Sequence, residues 1–252
     1  MSQPECRPIF IIGCPRSGTT LLRLMLDSHP HISCGPESHF LTDLASLVDR
    51  HGERIGRFGV DKDQWYEKTA HFFHTFHMAY AQQRGKRRWA EKTPKYTRHL
   101  ALINQLFPDC QLIHMIRNGR DVVSSYHKRW GYLSAVKTAA YRWREYITLA
   151  RDFGQALPKD RYFELRYEDL VSDTEMTLRG MFEFLQEPWV PDVLHYQDAP
   201  HDVNDLYATS TQAFRNDSPG AVYTSRIDKG IDPFLKTVMR IGSGRLLQEL
   251  GY

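Results

Sequence analysis

The chain has 252 residues, with 33 basic and 30 acidic side chains and a formal net charge of +3. That length suits one substantial α/β domain spanning 1–252 and is short for two, and the near-balance of charge gives no electrostatic reason to expect nucleic acid or an anionic membrane as partner. No apolar run approaches the ~20 residues of a membrane-spanning helix. Cys6, Cys14, Cys34 and Cys110 lack the paired spacing of a zinc or redox motif, so reduced thiols in a cytoplasmic protein are expected.

Pro8-Ile9-Phe10-Ile11-Ile12 is too short for a helix and rich in strand formers, and reads as a buried strand. Gly13 to Gly18 is a loop, and Thr19 to Ser28 has helical spacing with Leu22, Met25 and Leu26 on one face. A long helix is expected near 61–84. His71, His74 and His77 are spaced three apart on it, but the interleaved Phe72, Phe73 and Phe76 mark a packed aromatic helix, not a metal face. Lys86-Arg87-Arg88 reads as a solvated charge run leading into a strand at 88–91, and a helix follows at 97–107. Gln111 to Ile116 is strand-like, Arg117 to Arg120 a turn, and Asp121 to Arg129 a helix opened by its own acidic cap. Helices near 134–153, 173–186 and 234–250 and a strand at 161–165 complete the pattern. Strands alternating with helices imply a mostly parallel central sheet, flanked by helices, in a P-loop-like α/β domain. The stretches 45–88 and 187–220 are expected to be acceptor-facing insertions, the second an irregular excursion with Pro188, Pro191, Pro200 and Pro219 among aspartates.

The chemistry concentrates in Gly13-Cys14-Pro15-Arg16-Ser17-Gly18-Thr19-Thr20. Two glycines five apart, between strand and helix, let a loop wrap an anion with its backbone N–H groups, and the helix start adds donors and a favourable dipole. A nucleotide kinase would place Lys directly after the second glycine; here Thr19 stands there and the cation is Arg16 inside the loop.

Pro15-Arg16-Ser17-Gly18-Thr19-Thr20, with the following Leu21-Leu22 and Asp27-Ser28-His29-Pro30, resembles the 5′-phosphosulfate loop of sulfotransferases that use 3′-phosphoadenosine-5′-phosphosulfate (PAPS), most closely the tyrosylprotein sulfotransferases and their bacterial relatives. Arg117 and, eight residues later, Ser125 match the family's 3′-phosphate motif, in which an Arg fork and a hydroxyl hold the phosphate. Cys34-Gly35-Pro36-Glu37-Ser38-His39 resembles the segment that carries the catalytic base. The match puts the base at Glu37, most effective if burial raises its pKa, with His39 as a rival and in place of a substrate-contacting Arg. Glu91-Lys92-Thr93-Pro94 resembles the segment whose Lys stands by the bridging oxygen of the leaving group, where Arg16 would share the load. Tyr167-Glu168-Asp169-Leu170 resembles a segment whose Tyr lies against adenine, and Arg226 or Lys229 would close over the 3′-phosphate.

The resemblance thus implies sulfuryl transfer from PAPS, with 3′-phosphoadenosine-5′-phosphate (PAP) as product, to a hydroxyl of a small molecule, carbohydrate or peptide. It implies no metal. A P-loop kinase or NTPase, and a nucleotide-binding relative without activity, are the alternatives.

Overall fold

The computed structural model describes residues 7–199, 201 and 231–252; the expectations for Arg226, Lys229 and most of 187–220 fall outside them. The described residues form a five-stranded, all-parallel sheet in the order β2-β3-β1-β4-β5, with helices on both faces. Its strands are β1 (Ile9–Gly13), β2 (Ile32–Cys34), β3 (Arg88–Glu91), β4 (Gln111–Ile116) and β5 (Tyr162–Arg166). β1, β2, β3 and β4 are buried along their whole length, as expected of parallel strands covered on both sides.

Helix α1 (Thr19–Asp27) returns from β1 to β2 and buries Leu22, Met25 and Leu26, the predicted face. Two of its polar residues turn inward as well. Arg23 Nε donates to the carbonyls of Cys34 and Gly35 at 3.1 and 2.7 Å, and Asp27 Oδ1 accepts from Cys34 N at 2.9 Å. These bonds fix the end of β2, a three-residue strand that periodicity alone does not reveal.

Helices α2 (Leu41–Gly56) and α3 (Lys62–Gln83) follow. α3 begins with a full capping box between Asp61 and Gln64. It belongs to the core: Phe73 is fully buried with Phe10, Trp89 and Phe107, and the buried His77 stacks on Trp89 at 4.8 Å and 17°. α3 thus covers part of the sheet; of its three spaced histidines His77 is buried in that packing, His74 is half-buried and His71 is exposed.

The expected solvated run Lys86-Arg87-Arg88 turns inward over most of its length. Lys86 contacts the buried Asp27, and Arg88 is bonded to the carbonyls of Arg7 and Leu185 and to Gln111 and Glu187. Arg87 alone keeps an exposed side chain, in an ion pair with Glu187 at 3.0 Å. Three acceptors on Asp27 and Glu187, and the carbonyl ends of other elements, draw these charges in.

Beyond β3, a 3₁₀ turn (Pro94–His99) leads into α4 (Leu100–Leu106). α5 (Gly119–Trp130) is capped not by Asp121 but by Asn118, whose Oδ1 accepts from Arg120 N at 3.0 Å. The expected helix 134–153 comprises α6 (Tyr132–Lys137), a π-helical turn at Thr138–Arg142 and α7 (Trp143–Gln155). α8 (Tyr167–Ser172), α9 (Thr174–Leu185), a 3₁₀ helix (Pro191–Asp198) that buries Val193 and Tyr196 in the core, and a final helix, Pro233–Glu249, complete the described elements. No helix among the described residues is long and apolar enough to cross a membrane. Cys14, Cys34 and Cys110 are free and buried, and burial pushes their thiols up, Cys14 to about 12.

Candidate active site

Every sequence-predicted site residue within the described part stands at or just beyond the carboxyl end of a strand, or on the helix that follows it. This is the edge at which open parallel sheets bind ligands. The loop after β1 carries Pro15 to Thr20, the segment after β2 carries Glu37 and His39, and β3 runs directly into Lys92. β4 runs into Arg117, with Ser125 on α5, and β5 runs into Tyr167.

The loop Gly13–Gly18 is built for close approach. Gly18 has φ +96°, and a Cβ there would lie 2.3 Å from the Tyr167 ring, so only glycine fits beneath that ring. Arg16 also takes a left-handed backbone, φ 74°, a costly conformation that concentrates at functional sites. Gly18 caps α1 without any side-chain hydrogen bond, and Ser17 Oγ is buried with no partner. Uncapped helix donors beside an orphaned hydroxyl suit an anionic ligand. Thr97 Oγ1 holds the base of the loop, accepting from Gly13 N at 2.8 Å. Thr19, where a kinase would carry its lysine, is buried at 3% exposure and offers no charge.

A second group assembles around Arg117. Its guanidinium lies 4.2 Å from the Tyr167 ring centroid and pairs with Asp121 at 3.5 Å, while its buried Nε has no partner. The Asp121 pair anchors the fork, and the Nε leaves it a donor for a phosphate. Tyr167 is 4% exposed, with Arg117 over its ring and Gly18 against its edge, so it packs between the loop after β1 and the segment after β4. Arg16 joins this group. Its Nε donates to Ser125 Oγ at 2.8 Å, and Arg117 Nη1 reaches the Arg16 carbonyl at 3.5 Å. Arg16 thus ties the loop after β1 to α5 through Ser125, while Lys92 contacts the other end of the same loop at Thr20.

The third group is Glu37, Lys92, His39 and Thr20. Lys92, with a side chain 4% exposed, pairs with Glu37 Oε1 and reaches Thr20 Oγ1 at 3.4 Å. His39 Nε2 lies 3.0 Å from Glu37 Oε2, and His39 is held at φ 57°, left-handed like Arg16. The two rival bases are therefore partners on one carboxylate. The expectation that burial raises the Glu37 pKa is corrected. Burial does push it up, but the hydrogen bond from His39 and the Lys92 ammonium outweigh burial and hold it at about 2.

Two residues behind this group were not singled out from the sequence. Glu91, 1% exposed, accepts from Thr93 Oγ1 and lies 3.4 Å from Ser38 N. Tyr96 Oη meets Ser38 Oγ at 2.9 Å and accepts from Leu41 N at 3.0 Å. Their signal was only adjacency to Lys92. His29, His31 and Glu187 also converge elsewhere, but Pro188 O, His31 N, Arg87 and Arg88 already engage their polar atoms.

The sequence profile described as the sulfotransferase family matches residues 8–191. The protein-tyrosine sulfotransferase of Drosophila melanogaster is 28% identical over 241 residues, covering 91% of this chain and 45% of that protein. The chain spans about half the length of such curated relatives. Among solved structures, the sulfotransferase domain of the Synechococcus olefin synthase superposes with a TM-score of 0.66 at 24% identity, over 100% of this chain and 97% of that one. A mouse sulfotransferase complexed with PAP superposes with a TM-score of 0.59 at 13% identity, over 96% of this chain and 88% of that one. Both share the fold.

Proposed function

The chain belongs to the sulfotransferase family, and on that premise we propose that it transfers a sulfuryl group from PAPS to an acceptor hydroxyl by in-line displacement. The observation that carries the reading is the contact of a buried ammonium, Lys92, with a carboxylate, Glu37, and with Thr20 of the anion loop. A base and an electrophilic cation thus meet beside uncapped helix donors.

In this reading the N–H groups of 16–20 and Ser17 Oγ hold the 5′-phosphate end of PAPS. Arg117 and Ser125 hold the 3′-phosphate, with Arg16 between the two ends. The acceptor oxygen attacks sulfur as its proton passes to Glu37, and the bond from sulfur to the bridging oxygen breaks. Lys92 stands by that oxygen as negative charge builds on it, so the ammonium favours the transition state over the ground state. Lys92 is also what keeps Glu37 weakly basic. As the ammonium turns its bonding toward the departing phosphate, Glu37 loses part of that stabilisation and gains basicity at the step that needs it. His39 keeps the carboxylate in place. The products are PAP and a sulfate ester.

The named relative is a protein-tyrosine sulfotransferase, so a tyrosyl hydroxyl is the first acceptor to try, with carbohydrate and small-molecule hydroxyls completing a panel. The test is transfer of labelled sulfate from PAPS across that panel, with PAP measured alongside. Equal amounts of PAP and sulfated product, lost in Glu37→Gln, are expected. Phosphorylation of an acceptor from ATP with magnesium, and no transfer from PAPS, would sink the reading.

A further inference from the structure

Glu91 ends β3 with its carboxyl turned behind the site, opposite in sense to Lys92, which contacts Glu37. One carboxyl oxygen, Oε1, accepts from Thr93 and lies 3.4 Å from Ser38 N, the backbone between Glu37 and His39. The other, Oε2, lies 3.6 Å from Nε2 of His77. His77 is buried among rings, stacked on Trp89 and 4.4 Å from the Phe73 centroid, and its Nε2 has no hydrogen-bond partner. A buried ring nitrogen without a hydrogen-bond partner thus lies 3.6 Å from a buried carboxyl oxygen.

An ion pair would place two charges in an aromatic pocket, where desolvation is severe. A proton on Oε2 offers the unpartnered Nε2 a donor without charge, once the 3.6 Å gap closes to hydrogen-bond length. We propose that Glu91 acts as a neutral carboxylic acid, donating its proton to His77 Nε2 and holding Ser38 N with its other oxygen, and so serves as a positioning residue for the Glu37–His39 segment.

The groups facing Glu91 agree with this assignment. Ser38 from the segment after β2, and Thr93 and Tyr96 from the turn after β3, present hydroxyls or N–H groups. Cys34 at the end of β2 is a buried thiol. From α3 comes His77, with His74 one turn earlier bonded to Trp89 Nε1. Lys92 is the one cation among these, and it is committed to Glu37. Burial pushes the Glu91 carboxyl up to about 7, against Thr93, Ser38 and Lys92. Burial, helped by His74, pushes His77 down to about 3. Both partners are therefore neutral just below neutrality, with His77 as the Nδ1–H tautomer. Above that range a carboxylate faces the His77 lone pair, and the hold on Ser38 is disturbed.

The protonation state is read without turnover, from the carbonyl stretch of a protonated carboxyl in infrared difference spectra. The expected result is a band present at pH 6 that fades as pH rises through about 7 and is missing in Glu91→Gln. Kinetics, which rest on the sulfotransferase reading, supply the positioning test. Glu91→Gln can donate from its amide to His77 and accept from Thr93 and Ser38, so it keeps kcat within about threefold and loses the alkaline fall in rate. Glu91→Ala lowers kcat by about a hundredfold with the KM for PAPS little changed, the scale of a small misplacement of a reacting group. No protonated carboxyl at pH 6, or a folded Glu91→Gln as impaired as Glu91→Ala, overturns the proposal. A band that behaves as expected in a protein that transfers nothing from PAPS would fault the function reading alone.

Discussion

Replacing Lys92 with Met keeps the length and packing of a 4%-exposed side chain and removes its charge. Glu37 is held at about 2 against an ordinary value of 4.5, a difference on the order of 3 kcal/mol in favour of its ionised form. Burial opposes that bias, so His39 and Lys92 together supply more than the net figure. Without Lys92, burial is offset by His39 alone, and the carboxyl climbs toward or above its ordinary range. Two results follow. The single-turnover rate at saturating PAPS falls by about 10²- to 10³-fold, the usual cost of losing one positioned transition-state donor. The remaining rate acquires an acid limb, rising with pH as Glu37 ionises, where the wild-type rate shows no such limb from Glu37 above pH 4. Denaturant melts test the same pair without turnover. Lys92→Met should cost about 1–3 kcal/mol, much of it from a buried carboxylate left with His39 alone. Adding Glu37→Gln should recover part of that, with a coupling on the order of 1–3 kcal/mol. Additive losses, together with a flat pH profile in Lys92→Met, would refute the reasoning.

Gly18→Ala should cut PAP affinity at least about tenfold and destabilise by about 1–3 kcal/mol, because φ +96° and the Tyr167 ring both exclude a Cβ; calorimetry and melts check it. Arg88→Leu, which strands the carbonyls of Arg7 and Leu185 and Gln111 Oε1 and takes one of the cations from Glu187, should lower stability by about 3–5 kcal/mol while PAP binding in the surviving folded protein is unchanged. For Asp27, burial is outweighed by His201, Cys34 N, Lys86 and Arg84, and its pKa is lowered. Its stabilisation is therefore present above the ordinary carboxylate range and lost as pH falls below it, and Asp27→Asn should flatten the acid side of a stability-against-pH curve.

The loop after β1 and the placing of Arg117 and Ser125 beside it were legible because their signals are local. Gly13 to Gly18 sits between an apolar strand and an amphipathic helix, and Arg117 and Ser125 keep a fixed spacing across one turn and one helix. β2 and α2 were not legible. β2 has three residues and owes its place to Arg23 and Asp27 of α1, and α2 starts after Phe40 with no capping side chain to mark it. Side-chain direction was the other gap. Lys86 and Arg88 turn inward because Asp27 and Glu187 lie beneath them, a fact of tertiary structure that a charge run cannot carry. Glu91 and His77 are 14 positions apart in the chain, and only the packing of α3 on β3 brings them together. Arg16 is bonded to Ser125, a contact between the β1 loop and α5 across 109 positions of chain that no local pattern carries.

The account stands most directly on which nucleotide the site takes. Calorimetric titration with PAP, beside ATP with magnesium, on the wild type and on Arg117→Ala, measures it. Tight PAP binding, much weaker ATP, and a loss of about 10- to 150-fold for PAP in the variant are expected, the worth of a charge-assisted fork. Tight ATP–magnesium binding with weak PAP, or PAP binding indifferent to Arg117, would contradict it.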